Sequence, residues 1–173
     1  MFRRSFEDVV VPHLDAAFNY ARWLARNDAD AEDIVQDAAL RAFRFFPSLR
    51  SDNARSWLLT IVRNAWYARV ANRQHTVAST EYDDMADRRA DDQIGPEELL
   101  IQREQVDRVQ RAVEQLPDDF REVIVLRELE GFSYKEIARI VGVPIGTVMS
   151  RLARARERLI ALLRPAASTG DAT

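Results

Sequence analysis

The 173-residue chain contains no cysteine. A disulfide, a thiolate nucleophile and a cysteine-rich structural zinc are therefore excluded. It also lacks a run of about 18 apolar residues, the length a helix needs to cross a bilayer, so no membrane insertion is expected. Only 5 glycines and 6 prolines punctuate an apolar fraction of 47 %. Short strands joined by tight turns need more punctuation than that, whereas long helices need little. The two histidines, His13 (with Asp15 nearby) and His75, have no metal-spaced cluster, phosphate-cradling glycine loop or nucleophile elbow around them. No enzyme activity, metal or cofactor is expected, and His13 reads as a partly buried or surface residue of the first helix. Met1-Phe2-Arg3-Arg4 leads to Glu7 and Asp8 rather than to an apolar stretch, so no signal peptide is expected and the cytoplasm is the expected location.

What the chain does have is charge. Its 25 basic and 28 acidic residues give a net −3, which taken alone argues against a nucleic-acid partner. The distribution reverses that inference. Residues 1–75 hold 11 basic and 9 acidic side chains, 76–107 hold 3 and 10, and 108–173 hold 11 and 9, for net charges of +2, −7 and +2. The middle stretch also contains Gly95-Pro96 and few aromatics, and reads as a linker between two mildly basic parts. The expected division is a helical domain over 1–75, an acidic linker over 76–96, a second helical domain over 97–164 and a frayed polar tail over 165–173. The fold class expected is all-α.

Apolar spacing predicts a first helix over 6–25, a second from a cap at Asp30 to Phe46 before Pro47, and a third over 54–72 after the loop Ser48–Asn53. Beyond the linker it predicts helices over 97–115 and 118–130, the latter ended by Gly131, then a short helix opened by Ser133 and Glu136 as a capping box. Gly142-Val143-Pro144 makes a turn, and a last helix runs over 145–163.

The final two helices with their glycine turn form a helix-turn-helix, the hairpin that places its second helix in the DNA major groove. Ala138 is small where the helices cross, and Ile137, Val141, Val143 and Val148 are the expected shared core. Taking Val148 as zero at 100° per residue, Leu152, Ala155, Leu159 and Leu162 lie within about 40° of it and predict the buried stripe. Thr147, Ser150, Arg151, Arg154 and Arg158 fall on one adjacent face. Arginine can bond guanine bidentately or hold phosphate, and threonine and serine can bond bases or backbone. An amphipathic helix with a solvated basic face is the bland alternative, and the capping box, small crossing residue and glycine turn favour DNA.

In the second helix, Ala31, Ile34, Val35, Ala38, Ala42 and Phe45 make the expected core stripe, while Asp33, Gln36, Asp37, Leu40, Phe43 and Arg44 share the opposite sector. Apolar side chains among carboxylates suit a protein-docking surface; packing of Leu40 and Phe43 under the first helix is an equal alternative. The third helix interleaves Trp57, Trp66 and Tyr67 with Arg55, Arg63, Arg69 and Arg73, a pattern able to stack unpaired bases and hold their phosphates. Trp57 reads as core, and Arg63, Asn64 and the Ser48–Asn53 loop, with Asp52 and Asn53, read as the base-contacting edge.

These residues resemble the extracytoplasmic-function (ECF) sigma factors of bacterial RNA polymerase. The resemblance is carried by Asp30-Ala31-Glu32-Asp33-Ile34-Val35-Gln36-Asp37, by Trp57-Leu58-Leu59-Thr60-Ile61-Val62-Arg63-Asn64, by Leu116-Pro117 with Phe120-Arg121-Glu122-Val123, and by Gly142-Val143-Pro144-Ile145-Gly146-Thr147-Val148. It covers about 10–75 and 97–163. It implies that Asp33, Gln36 and Asp37 dock on core polymerase, that the Ser48–Asn53 loop and Asn64 take single-stranded bases of the −10 element, and that the helix from Thr147 reads the −35 element as duplex. It also implies an anti-sigma factor as partner. Met149 departs from the lysine or arginine usual there, which shifts the expected −35 specificity onto Ser150 and Arg154. The competing class is a stand-alone helix-turn-helix repressor or activator, which explains the second half of the chain but leaves the first without a purpose. The acidic linker is expected to shield the basic faces of the free protein or to follow a basic channel in the polymerase.

Overall fold

The structure is a computed structural model that describes residues 4–50, 52–75 and 97–165. Among them every regular element is helical. The acidic linker and the role expected of it lie outside the described residues.

The first half is built from α1 (Phe6–Val9), α2 (Leu14–Ala25), α3 (Asp28–Phe45) and α4 (Ala54–His75). The single first helix expected over 6–25 is broken. Pro12 cannot donate to a continuing helix, and Val11–His13 forms a 3₁₀ turn instead. α2 closes with Arg26 in the left-handed region at φ 64°, and α3 opens on Asn27, whose Oδ1 accepts from Asp30 N at 2.8 Å. The cap is therefore Asn27 rather than Asp30. Asp30 instead accepts from Arg73 at 2.8 Å and Arg69 at 3.1 Å, tying α3 to α4. Partial burial opposes its charge, yet the bonds from Asn27 and Arg73 outweigh that and hold its carboxyl below the usual range.

Alanines make the close packing possible. Ala17 and Ala21 of α2 and Ala31, Ala38 and Ala42 of α3 are fully buried against Leu58, Leu59 and Val62 of α4. Small side chains let three helix backbones approach, and the larger residues of α4 fill the gaps. Phe45 departs from the expected core stripe and is 54 % exposed. Phe46, the next residue, turns inward instead and meets Phe6 edge to face at 5.6 Å between centroids.

The second half contains α5 (Glu97–Glu114), α6 (Asp118–Ile124), α7 (Tyr134–Val141) and α8 (Ile145–Leu163). α6 does not run on as an α-helix to Glu130. Residues Val125–Leu129 form a wide π turn, closed by Glu130 N donating to Val125 O at 3.1 Å. Gly131 follows at φ 71°, a left-handed position that suits glycine. Leu116, Val123, Ile124, Leu126, Phe132, Ile137, Ile140, Val148 and Leu152 form this half's buried core. Leu162, expected in the α8 stripe, is 37 % exposed, while Leu163 beside it is partly buried and its carbonyl accepts from Arg108 of α5.

The two halves share one continuous core. α2 lies against α6, and α4 against α7.

Candidate nucleic-acid interface

The hairpin of α7 and α8 forms as its local chemistry dictates. Ser133 Oγ accepts from Glu136 N at 3.2 Å while Glu136 Oε2 accepts from Ser133 N at 2.8 Å, completing the capping box. Gly142 terminates α7 at φ 76°, and Gly142 N and Val143 N both donate to Ala138 O. Ile137, Val141 and Val148 are buried between the two helices, with Val143 and Ala138 half-buried beside them.

Burying Val148, Leu152 and Ala155 leaves the opposite side of α8 in solvent. Ser150, Arg154 and Arg158 are exposed, and Thr147 and Arg151 are partly so. Arg151 lies 3.7 Å from Asp119, and the Ser150 hydroxyl donates to Thr147 O at 3.0 Å. Among the described residues no ion pair holds Arg154 or Arg158. Arg156 points to the other flank and bonds Glu128 at 2.8 Å. Met149 is 52 % exposed beside Ser150.

On the first half, Gln36, Asp37, Leu40 and Phe43 form an exposed outer face of α3, with Leu40 at 71 % and Phe43 at 63 % exposure. Phe43 also meets Phe6 of α1 edge to face at 5.3 Å between centroids, so it packs on the N-terminal helix while staying accessible. Asp33 shares this face and accepts from Arg69 at 3.1 Å.

The edge formed by α4 and the residues before it is less open. Asn64 is exposed, and Asp52 is exposed with Arg4 3.5 Å away. Asn53 uses Oδ1 to accept from Ser56 N at 3.1 Å, and its amide donates to Glu136 of α7. Arg63 stacks its guanidinium 4.4 Å over the Tyr67 ring and donates from Nε to Glu122 Oε1 at 2.5 Å. Tyr20 of α2 donates to the same oxygen at 2.5 Å. Burial first, and the Glu122 charge second, push the Tyr20 hydroxyl well above its ordinary value, so it remains a donor. Arg55 lies 4.4 Å over the Phe132 ring and donates to Glu130 at 2.7 Å. Trp57 and Trp66 are half-buried rather than wholly core.

Neither Glu122, Glu130 nor Glu136 was singled out in the sequence as a partner for these groups. The available signal was Glu122 itself, a carboxylate immediately before the apolar run Val123-Ile124-Val125-Leu126.

Two family descriptions match this chain: Sigma-70 region 2 over residues 9–76, and Sigma-70, region 4 over residues 107–159. The ECF RNA polymerase sigma-E factor of Escherichia coli is 36 % identical over 143 residues, covering 79 % of this chain and 75 % of that protein. The chain belongs to the ECF sigma factor family. A second ECF relative, SigE of Mycolicibacterium smegmatis, is 32 % identical over 155 residues, which span 90 % of this chain and 60 % of the mycobacterial protein. Among solved structures, the sigma factor RpoE of Bartonella quintana, crystallised with the anti-sigma factor NepR, superposes with a TM-score of 0.70. It is 32 % identical and the match covers 91 % of this chain and 96 % of that one. Region 2 thus contains the α3 and α4 faces, and region 4 contains the hairpin. No described helix of this ECF family member is long and apolar enough to cross a membrane.

Proposed function

We propose that this ECF sigma factor binds core RNA polymerase through α3 and selects promoters through α4 and α8, acting in the cytoplasm as a non-enzymatic specificity subunit. The supporting observation is that two surfaces of different chemistry coexist on one chain. The outer face of α3 mixes Asp33, Gln36 and Asp37 with exposed Leu40 and Phe43, which suits a protein partner. α8 presents Thr147, Ser150, Arg151, Arg154 and Arg158 from a firmly buried stripe, which suits a major groove. Residues 1–75 would carry polymerase binding and the −10 element, and 97–164 the −35 element, with 76–96 as linker. Asn64, Arg63, Asp52 and Asn53 would take the unpaired −10 strand. An anti-sigma protein is a further proposed partner, because the Bartonella relative was crystallised with one. A stand-alone repressor has no use for the α3 face and should not co-elute with purified core polymerase. Failure of the folded protein to co-elute would sink the sigma reading.

Arg154→Ala is expected to weaken binding to a −35 duplex by about 1–3 kcal/mol and to relax base choice there, as loss of a bidentate contact does. Binding measured against duplexes varied at each position checks it, and a uniform loss across all sequences would assign Arg154 to phosphate. Asn64→Ala, whose side chain is exposed, is expected to leave duplex −35 binding intact and to impair promoter opening. Permanganate footprinting of the reconstituted polymerase reads this directly, and unchanged melting refutes the role.

A further inference from the structure

The first turns of α8 expose an apolar pair beside a polar one. Val148, Leu152 and Ala155 fix the buried side of the helix. With Val148 as zero and 100° per residue, Ala153 lies at about 140° and Ser150 at about 200°, so the line facing directly away from the protein passes between them. Met149 flanks that line at about 100° and Arg154 at about 240°. Side chains four apart sit one above the other on a helix, which makes two parallel rows, Met149 with Ala153 and Ser150 with Arg154. All four are exposed, Met149 at 52 %. The second row offers a hydroxyl and a guanidinium, whereas the first offers only a thioether and a methyl group.

Gly146, near the same outward line and one turn earlier, is also exposed, and a Cβ built there would meet nothing within 4 Å. Its backbone is not in the left-handed region, unlike that of Gly131 and Gly142. Neither crowding nor an unusual turn within the protein accounts for a glycine at this place. Its effect is to leave the backbone bare where a partner comes closest. A methionine half in water gains most from a partner that is itself apolar. The major groove presents one such group, the C5-methyl of thymine, among hydrogen-bond donors and acceptors. An unbranched thioether with three rotatable bonds reaches it without needing a fixed hydrogen-bond geometry. A G·C pair would instead set polar edges against a side chain that cannot bond them, which leaves those edges without a partner.

We propose that Met149, with Ala153 one turn behind it, is a specificity-determining residue that reads the methyl group of one thymine, so that the −35 element of this sigma factor holds a T·A pair next to the position met by Ser150 and Arg154. This rests on the reading of α8 as the helix that enters the −35 duplex.

The test uses core polymerase reconstituted with the full chain. Duplexes are selected from a synthetic pool randomised across the −35 region, and each thymine of a selected duplex is then replaced in turn by uracil, which lacks only the C5-methyl. Fluorescence anisotropy is expected to show one replacement that weakens binding about fourfold, the worth of one methyl-sized group taken out of water. Met149→Ala should no longer distinguish thymine from uracil at that position, while uracil elsewhere affects both proteins alike. Met149 is exposed and alanine is the better helix former, so the variant should fold. Met149→Gln, close in length but polar, repeats the comparison independently. Met149→Arg should return a G·C pair at that position in a fresh selection, through the bidentate bond arginine makes to guanine. A parent protein indifferent to uracil at every position overturns the proposal. So does sensitivity undiminished in Met149→Ala and Met149→Gln, or a T·A pair retained by Met149→Arg. Arg154→Ala on the same duplexes then shows which reading has failed. If it weakens binding, α8 still meets the duplex and only the role of Met149 falls; if it changes nothing, both fall.

Discussion

Reversing charge at Asp33 and Asp37 together is expected to abolish co-elution with core polymerase, a loss of at least about a hundredfold in affinity. Both side chains lie on the outer face of α3, beside Leu40 and Phe43. A partner surface that accepts carboxylates there meets two arginines instead, and like charges set against one another cost several kcal/mol. The fold should tolerate the change. Asp33 is more than half exposed and its bond to Arg69 is a surface pair, a class that contributes about 0–1 kcal/mol. The tie between α3 and α4 also persists through Asp30, which keeps both Arg73 and Arg69. Gel filtration of the reconstituted mixture reads the binding, and circular dichroism melting confirms that the variant is folded. Co-elution at wild-type strength would remove the α3 face from the polymerase contact. Leu40→Ala is the gentler form of the same experiment, because its side chain stands in solvent and its truncation opens no cavity.

The second large effect is expected from Leu152→Ala. Leu152 is 1 % exposed and sits between Val148 and Ala155 on the buried stripe of α8. It is the largest side chain of that stripe, so its neighbours can fill little of the space it leaves. A loss of about 3 kcal/mol is expected, the middle of the range for buried leucine truncation. For a chain of this size, that is a sizeable share of total stability. Urea denaturation followed by circular dichroism measures it. Binding to every −35 duplex should fall together as α8 loses its seating. Arg154→Ala is the contrast: its side chain is exposed, so sequence preference should change while the unfolding midpoint does not. If Leu152→Ala left both the midpoint and duplex binding unchanged, α8 would not depend on this stripe for its position.

The contrast between well-placed and misplaced elements follows from how far each determining interaction reaches. α8 begins and ends at Ile145 and Leu163, as its periodicity indicated, and Ser133 with Glu136 closes the α7 cap. Those features depend on residues within one or two turns. Asn27 and Asp30 are both plausible caps three residues apart, and the sequence does not say which one is recruited by Arg69 and Arg73 from α4. Phe45 and Leu162 have the correct phase for burial but are exposed, and the residues after them, Phe46 and Leu163, are partly buried instead. Phase can be counted along a chain, whereas the side from which a neighbour covers a helix end cannot. The exposed candidates on α3 and α8 were legible because a face left over from a buried stripe is defined by the same count. The pairing of Glu122 with Arg63 was not, since the two lie 59 positions apart and each alone resembles an ordinary solvated charge.

The π turn over Val125–Leu129 has a consequence for changes in chain length. Its hydrogen bond spans five residues where an α turn spans four, so the segment carries one residue of slack. Removing Glu128 would let the turn close as ordinary helix, with Glu122 before it and Gly131 after it keeping their present faces. Adding a residue between Glu122 and Gly131 meets no such slack and turns Glu122 by about 100° relative to the hairpin. A single deletion is thus absorbed around Val125, whereas an insertion is transmitted to the junction with α4.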